Sequence, residues 1–557
     1  MLFDIQSIET DVLILGGGGA AGMAAARAAE SGARVVLAAK TSYPGGSTIM
    51  ARGGWQAAVG HSNPQDNPSL HVRDTLSVGC GINIPELVEV MAQESVSALA
   101  VLDRYGATFA READGRFAQK NIQGVTYPRH IHNYDQTGKG LADGLKGIVQ
   151  KNDNIKIMNH LMAVHLFVSD GRIQGALLYH DRTGELYAAQ AKTVILATGG
   201  GSAIFAVHDN LTGTTGDGYV LGLDAGLELL SMEMVEFQLC VCHPPSMMRY
   251  PPNSSAWVIR GGRLYNGQGE RFMKAHDPVK LEANTRAAIN RAVAIEIACG
   301  RGTASGGVYL DLSDIPLDTI KEIGPTIYSA FKKHDIDLTY QPMELSQGAH
   351  SFLGGIAFNA RSETAIGGLY VAGEVGGGVH GANRMGGNQL SDALSFGLVA
   401  GGSAAEYASA HKAKALNQSE VRAQADKFKK FIIPEKPDKD LSLSESAASM
   451  RQTISKSVGP IRADENIKEG IRRLAEMEDR LPRIPAQGAN PNEAVRFKWE
   501  ARSIAKVGQA IGLAVQYRKE SRGVHYREDH PQQDDRQFKG LTVIKTDPEW
   551  RVEFRPL

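Results

Sequence analysis

Six residues near the start of the chain, Gly17-Gly18-Gly19-Ala20-Ala21-Gly22, have the types and spacing to hold a phosphate. In a GxGxxG run the glycines permit a tight turn and a close backbone approach, and the helix that follows aims free N–H groups at a pyrophosphate. A tight turn that holds nothing is the competing reading, and context decides against it. Residues 11–15 are a β-branched apolar run, residues 20–30 are alanine-rich with Gly32 as a stop, and residues 34–37 are strand-like again. Two more strand patterns run into glycine turns, residues 193–196 into Ala197-Thr198-Gly199-Gly200 and residues 368–371 into Ala372-Gly373-Glu374. A parallel sheet that meets a dinucleotide at its carboxyl edge needs such turns.

One part of the dinucleotide fingerprint is absent. The acidic residue that grips a ribose at the end of the second strand is replaced by Ala38-Ala39-Lys40, which leaves Thr41 or Ser42 for that task. The omission weakens an NAD reading more than an FAD reading, which draws on several other contacts.

The elements that must position these turns belong to a chain of 557 residues, enough for two to four domains. Residues 230–347 differ in texture from their flanks, with proline-rich turns at 244–252 and helical periodicity over 281–299, and read as a domain inserted into the first. Beyond Gly402 the chain turns to charged helices, broken at 433–439 and 482–491. A net charge of −1 lacks the basic excess that nucleic acid demands. The four cysteines, Cys80, Cys240, Cys242 and Cys299, form no iron–sulfur run, haem site or disulfide framework, and no metal ligand set is expected. Electrons beyond the cofactor must therefore come from another protein or a small molecule. Residues 1–10 lack the form of a cleaved signal and no run approaches eighteen apolar residues, so a cytoplasmic chain without direct membrane insertion is expected, docked on a membrane partner at most.

With these segments in view, the chain resembles the flavoprotein subunits of the succinate dehydrogenase and fumarate reductase family, which includes L-aspartate oxidase. The resemblance runs through the opening glycine turn, Gly45-Gly46-Ser47-Thr48 to Arg52-Gly53-Gly54, Asp135-Gln136-Thr137-Gly138, Thr214-Thr215-Gly216-Asp217-Gly218, Gly373-Glu374, His380-Gly381-Ala382-Asn383-Arg384, and Glu520-Ser521-Arg522-Gly523 with His525-Tyr526-Arg527. It implies an α/β fold: a Rossmann-like FAD-binding domain (1–229 and 348–412), an inserted α+β capping domain for substrate (230–347), a C-terminal helical domain (413–540) and an extended tail (541–557). It also implies FAD on Gly17, Gly19, Gly22, Lys40, Ser47, Thr48, Gly53, Gly54, Thr198, Gly199, Asp217, Glu374, Asn388 and Leu390. Respiratory relatives attach FAD through a histidine where this chain has Ser47, so non-covalent FAD is expected.

The same resemblance implies hydride transfer between flavin and a short dicarboxylate, with electrons exchanged through an iron–sulfur subunit. Arg286 resembles the proton-donating arginine, His243, His350 and Arg384 the substrate clamps, and Arg260 the relay arginine. The family's Thr-Glu pair upstream of that relay arginine is here Ala256-Trp257. The relay carboxylate and one substrate hydroxyl are thus missing from their usual place, with Glu236 as a candidate substitute. A self-sufficient oxidase of the L-aspartate type, or a flavin-holding electron-relay subunit of a larger redox complex, are the alternatives.

Overall fold

The strand Ile5–Leu15 lies inside a seven-stranded sheet because its second half, Val12-Leu13-Ile14-Leu15, is apolar on both faces and wholly buried. It pairs in parallel with Val35–Ala39 on one side and Leu186–Leu196 on the other. Ile155–Asn159 extends the first side in parallel. On the second side Leu186–Leu196 forks: its start pairs antiparallel with Arg172–His180, while its last residues pair in parallel with Leu369–Val371. Four strands therefore end at one edge, in Leu15, Ala39, Leu196 and Val371, and each delivers the segment that follows it to the same place.

The computed structural model describes residues 5–252, 254–438, 440–546 and 549–557. One face of the sheet is covered by the helices Gly19–Glu30 and Asn388–Ala410. They lie close because Gly397 and Gly401 face the first helix; a Cβ at either would come within 2.6 and 2.3 Å of the Ala20 and Ala24 carbonyl oxygens. The other face packs against C-terminal helices, chiefly Pro491–Tyr517.

The inserted segment builds its own antiparallel sheet, in the order Val235–His243, Met343–Phe352, Val308–Asp311, Arg263–Tyr265. Its separate core includes Leu239, Val241, Trp257, Val293 and Leu310. The periodicity at 281–299 becomes a short turn, Leu281–Ala283, and the helix Arg286–Ala298, whose start is fixed by Thr285 accepting from the Ala288 N–H at 3.2 Å.

The segment from 541 does not trail from the helical domain as an extended tail. Gly540–Thr546 and Trp550–Pro556 form a hairpin, and its first strand pairs antiparallel with Leu229–Leu230. Leu541 and Val543 are buried against Leu230 and Met234, while Lys545, Glu553 and Arg555 face outward in ion pairs; those outward charges hide the alternation in the sequence. The break at 433–438 carries neither helix nor strand, and Lys439, like Met1 to Asp4 of the N-terminal segment, lies outside the described residues. Beneath the hairpin, Glu233 accepts from Arg518 Nε and Thr542 Oγ1, both at 2.6 Å, and Arg518 and Arg522 share Glu520. No helix among the described residues is long and apolar enough to cross a membrane.

Candidate active site

Between the carboxyl edge of the large sheet and the inserted domain lies a cavity of about 1320 Å³. Pockets for single drug-sized ligands run to roughly 1,000 Å³, so this one has room for a dinucleotide with a small molecule beside it. The glycine turn lines it, with Lys40, Ser47, Thr48, Gly53, Gly54, Thr198, Gly199, Asp217, Glu374 and Leu390.

Local geometry explains these residue types. A Cβ on Gly17 would lie 2.6 Å from the Ser42 carbonyl oxygen and one on Gly54 1.9 Å from that of Ile131. Thr48 Oγ1 accepts from the Gly19 N–H at 3.0 Å and braces the turn. The Thr198 hydroxyl is buried on the cavity wall with no hydrogen-bond partner among the described residues, a polar group set for a ligand. Glu374 accepts from the Phe352 N–H at 2.9 Å, and burial pushes its carboxyl up to about 7. Gly54 N–H donates to His130 Nε2 at 2.6 Å, and burial keeps that imidazole neutral by pulling it down to about 3. A long cavity with a glycine cradle at one end and buried polar groups along it fits FAD.

Lys40 meets Asp217 at 2.5 Å and Glu500 at 2.9 Å. Burial works against its charge, but the two carboxylates hold the ammonium above its ordinary range. Glu500 and Arg496, which also lines the cavity, come from the C-terminal helix Pro491–Tyr517. No sequence signal marks them, since their partners lie hundreds of residues upstream.

Two residues expected on the cofactor face elsewhere. Gly22 does not line the cavity: it lets its helix approach Leu145 and Tyr43, whose atoms stand 2.5 and 2.8 Å from a Cβ placed there. Asn388 is wholly buried, with its amide bonded to His71 Nε2 and Thr75 Oγ1, both at 2.9 Å. It fastens the start of the helix Asn388–Ala410 to the helix Pro68–Val78 instead of reaching the cavity.

At the other end of the cavity Arg286, Arg384 and His350 come together. Glu236 joins the two arginines: Arg286 Nη1 donates to Oε1 at 3.1 Å, and Arg384 donates to Oε2 through Nη2 at 2.6 Å and Nε at 3.0 Å. Burial alone would raise the Glu236 carboxyl, but Arg384, then Arg286 and His350, hold it at about 2. Burial lowers the pKa of Arg286. His350 Nδ1 stands 2.9 Å from Asp209 Oδ2, and Gln238 Nε2 also donates to Asp209. Asp209, Gln238 and Gln389 line this end; the spacing of the sequence singles out none of them.

His243 lies off the cavity wall, whereas Arg260 stands on its rim. Along Val235–His243 the alternation turns Glu236 and Gln238 toward the cavity and Leu239 and Val241 into the inserted domain's core; past a register shift, His243 ends the strand exposed and off the cavity wall. Arg260 is exposed on the cavity's rim and has no ion pair among the described residues. Trp257 is wholly buried in the inserted domain, its indole N–H donating to the Pro252 carbonyl at 2.6 Å, and only Ala256 of that pair lines the cavity.

Comparison with known proteins agrees with this geometry. Residues 11–390 match the family model described as FAD binding domain, and residues 447–557 match Fumarate reductase flavoprotein C-term. An FAD-dependent oxidoreductase of Methanocaldococcus jannaschii is 36% identical, covering 98% of this chain and 97% of that one. A fumarate reductase (CoM/CoB) subunit of Methanothermobacter marburgensis is 34% identical over 98% of this chain and 96% of its own. Among solved structures, the FrdA chain of E. coli quinol fumarate reductase superposes with a TM-score of 0.91 at 26% identity, covering 99% of this chain and 97% of that one.

Proposed function

The chain belongs to the succinate dehydrogenase and fumarate reductase flavoprotein family and is an FAD-dependent oxidoreductase, and from that premise we propose that it reduces the double bond of a short unsaturated acid held by Arg286, Arg384 and His350. The observation that carries this reading is the pair of guanidiniums joined by Glu236 at the end of the cofactor cavity. FAD, when bound, supplies the hydride. Arg384 and His350 grip the acid's carboxylate, and Arg286 holds the proton that the adjoining carbon receives. Glu236, ionised at any ordinary pH, aims both guanidiniums and is a poor proton store. A short dicarboxylate, fumarate first, is the class that family membership brings to the test.

Ser47 on the cavity wall supports non-covalent FAD. Four scattered cysteines support an iron–sulfur partner as electron source, as does the similarity to a relative that is one subunit of a fumarate reductase. Acid precipitation should release all flavin into the supernatant, and reduced viologen should be reoxidised by the holoprotein when an unsaturated acid is added. Flavin retained on the precipitate refutes non-covalent attachment, and viologen that stays reduced with every acid refutes the reductase reading.

A further inference from the structure

Where the second strand, Val35–Ala39, ends, the cavity wall carries Lys40 and Thr41 and, from the strand Leu161–Ser169, the apolar residues Leu161, Met162 and Ala163. In a sheet of this kind that is the place for the adenosine of a dinucleotide. The carboxylate that would grip its ribose is absent from the sequence here, and Lys40 does not replace it. An ammonium has three donors, and Lys40 spends them on the Gly213 carbonyl, Asp217 and Glu500 at 2.5, 2.5 and 2.9 Å. Thr41 and Ser42, the hydroxyls that follow, are short and exposed.

One long cationic side chain reaches this end from the C-terminal helix Pro491–Tyr517. Arg496 lines the cavity with its side chain only 12% exposed. Its Nε stands 2.9 Å from Asp181 Oδ2, Asp181 Oδ1 stands 3.2 Å from His160 Nδ1, and the His160 N–H donates to the Thr41 carbonyl at 3.0 Å. From the other direction Nη1 lies 3.9 Å from Glu500, the carboxylate that meets Lys40. Two chains of contacts therefore hold Arg496 beside the end of the second strand. The ring of Phe497, with its centroid 4.8 Å from the guanidinium carbon, sets the plane. An arginine offers five N–H donors in a fixed fork. The buried Nε–H has no aligned acceptor among the described residues, and the two ion pairs leave Nη groups over.

Lys40 and Arg496 are each matched by carboxylates at ion-pair distance, so this end offers donors and a planar face with little free positive charge. Such surroundings suit a neutral nucleoside and leave the pyrophosphate to the glycine turn. We propose that Arg496 is a cofactor-binding residue: its guanidinium donates to the adenosine half of FAD, and the bound cofactor thereby ties the large sheet to the helix Pro491–Tyr517.

FAD release from the holoprotein, followed as the rise in flavin fluorescence after dilution, should be about tenfold or more faster in Arg496→Gln than in the wild type, the worth of one hydrogen bond from a charged donor. Fragments of the cofactor separate a contact from a general loosening. With the full-length chain produced free of flavin, Arg496→Gln should weaken ADP by the same factor and leave FMN, which carries only the flavin half, at the wild-type affinity. Should Arg496→Gln fail to fold, Arg496→Lys, which keeps the charge and loses the fork, reads the same two affinities. Equal release rates, a joint loss of ADP and FMN affinity, or ADP that the wild type does not bind overturns the proposal. Flavin that leaves neither chain, even on acid precipitation, refutes non-covalent attachment instead, and the ADP and FMN affinities then decide alone.

Discussion

Arg384 Nη2 stands 2.6 Å from Glu236 Oε2, with both side chains withdrawn from solvent. Replacing Glu236 by Ala leaves Arg384 and Arg286 facing each other without a counter-charge. Breaking a buried pair from one side costs roughly 3–5 kcal/mol, so the denaturation midpoints of Glu236→Ala and of Glu236→Gln, which keeps the shape but not the charge, should both fall well below that of the wild type. A Glu236→Gln midpoint at the wild-type level contradicts a charge role.

Two buried carboxyls give opposite pH dependences. Glu236, held at about 2, stabilises the fold above its ordinary range near 4.5, and that stabilisation is lost as pH falls toward 2. Glu374, pushed up to about 7, contributes stability that is complete below about 4.5 and is lost as pH rises through 7. Thermal midpoints of the FAD-free chain should therefore fall between pH 5 and pH 8, and Glu374→Gln should flatten that fall. A slope unchanged in the variant assigns it to other groups.

Arg286 is mostly buried, lines the cavity and touches Glu236 but no part of the glycine cradle. In Arg286→Gln, turnover should drop by about 10²–10⁴-fold, the contribution of a positioned proton donor, while the flavin content per chain stays at the wild-type level. Activity within a few fold of wild type removes Arg286 from the proton step.

Asn388 bonds His71 and Thr75 inside the protein. Asn388→Ala strands both partners, which costs roughly 1–3 kcal/mol, read as a lower denaturation midpoint. Flavin stoichiometry should hold at saturating FAD. Lost flavin with unchanged stability puts Asn388 on the cofactor after all.

The glycine turn was legible in the sequence because its pattern is contiguous, Gly17 to Gly22 between an apolar strand and an alanine-rich helix, although Ser42 and Thr48, against which it packs, come from further along the chain. Arg286 and Arg384 were legible through the resemblance of the segments that carry them. His243 misled because its motif stands at the end of a strand whose register shift depends on pairing with Met343–Phe352, a partner about a hundred residues away. Asn388 and Gly22 sit in matching segments yet face inward, and only packing decides which way a helical residue points. Glu500 was invisible because it reaches Lys40 from the C-terminal helix Pro491–Tyr517, and nothing near Lys40 in the chain marks it.

The hairpin Gly540–Pro556 sets an order of events during synthesis. Glu233 and Thr542, which it brings into contact, are 309 residues apart in the chain. A ribosome has released the whole FAD-binding region and the inserted domain before the strand that pairs with Leu229–Leu230 emerges, so that edge stands open through most of translation. Nascent chains stopped short of residue 540 should therefore be sticky and call on chaperones, although every residue of the cofactor cradle has already been made.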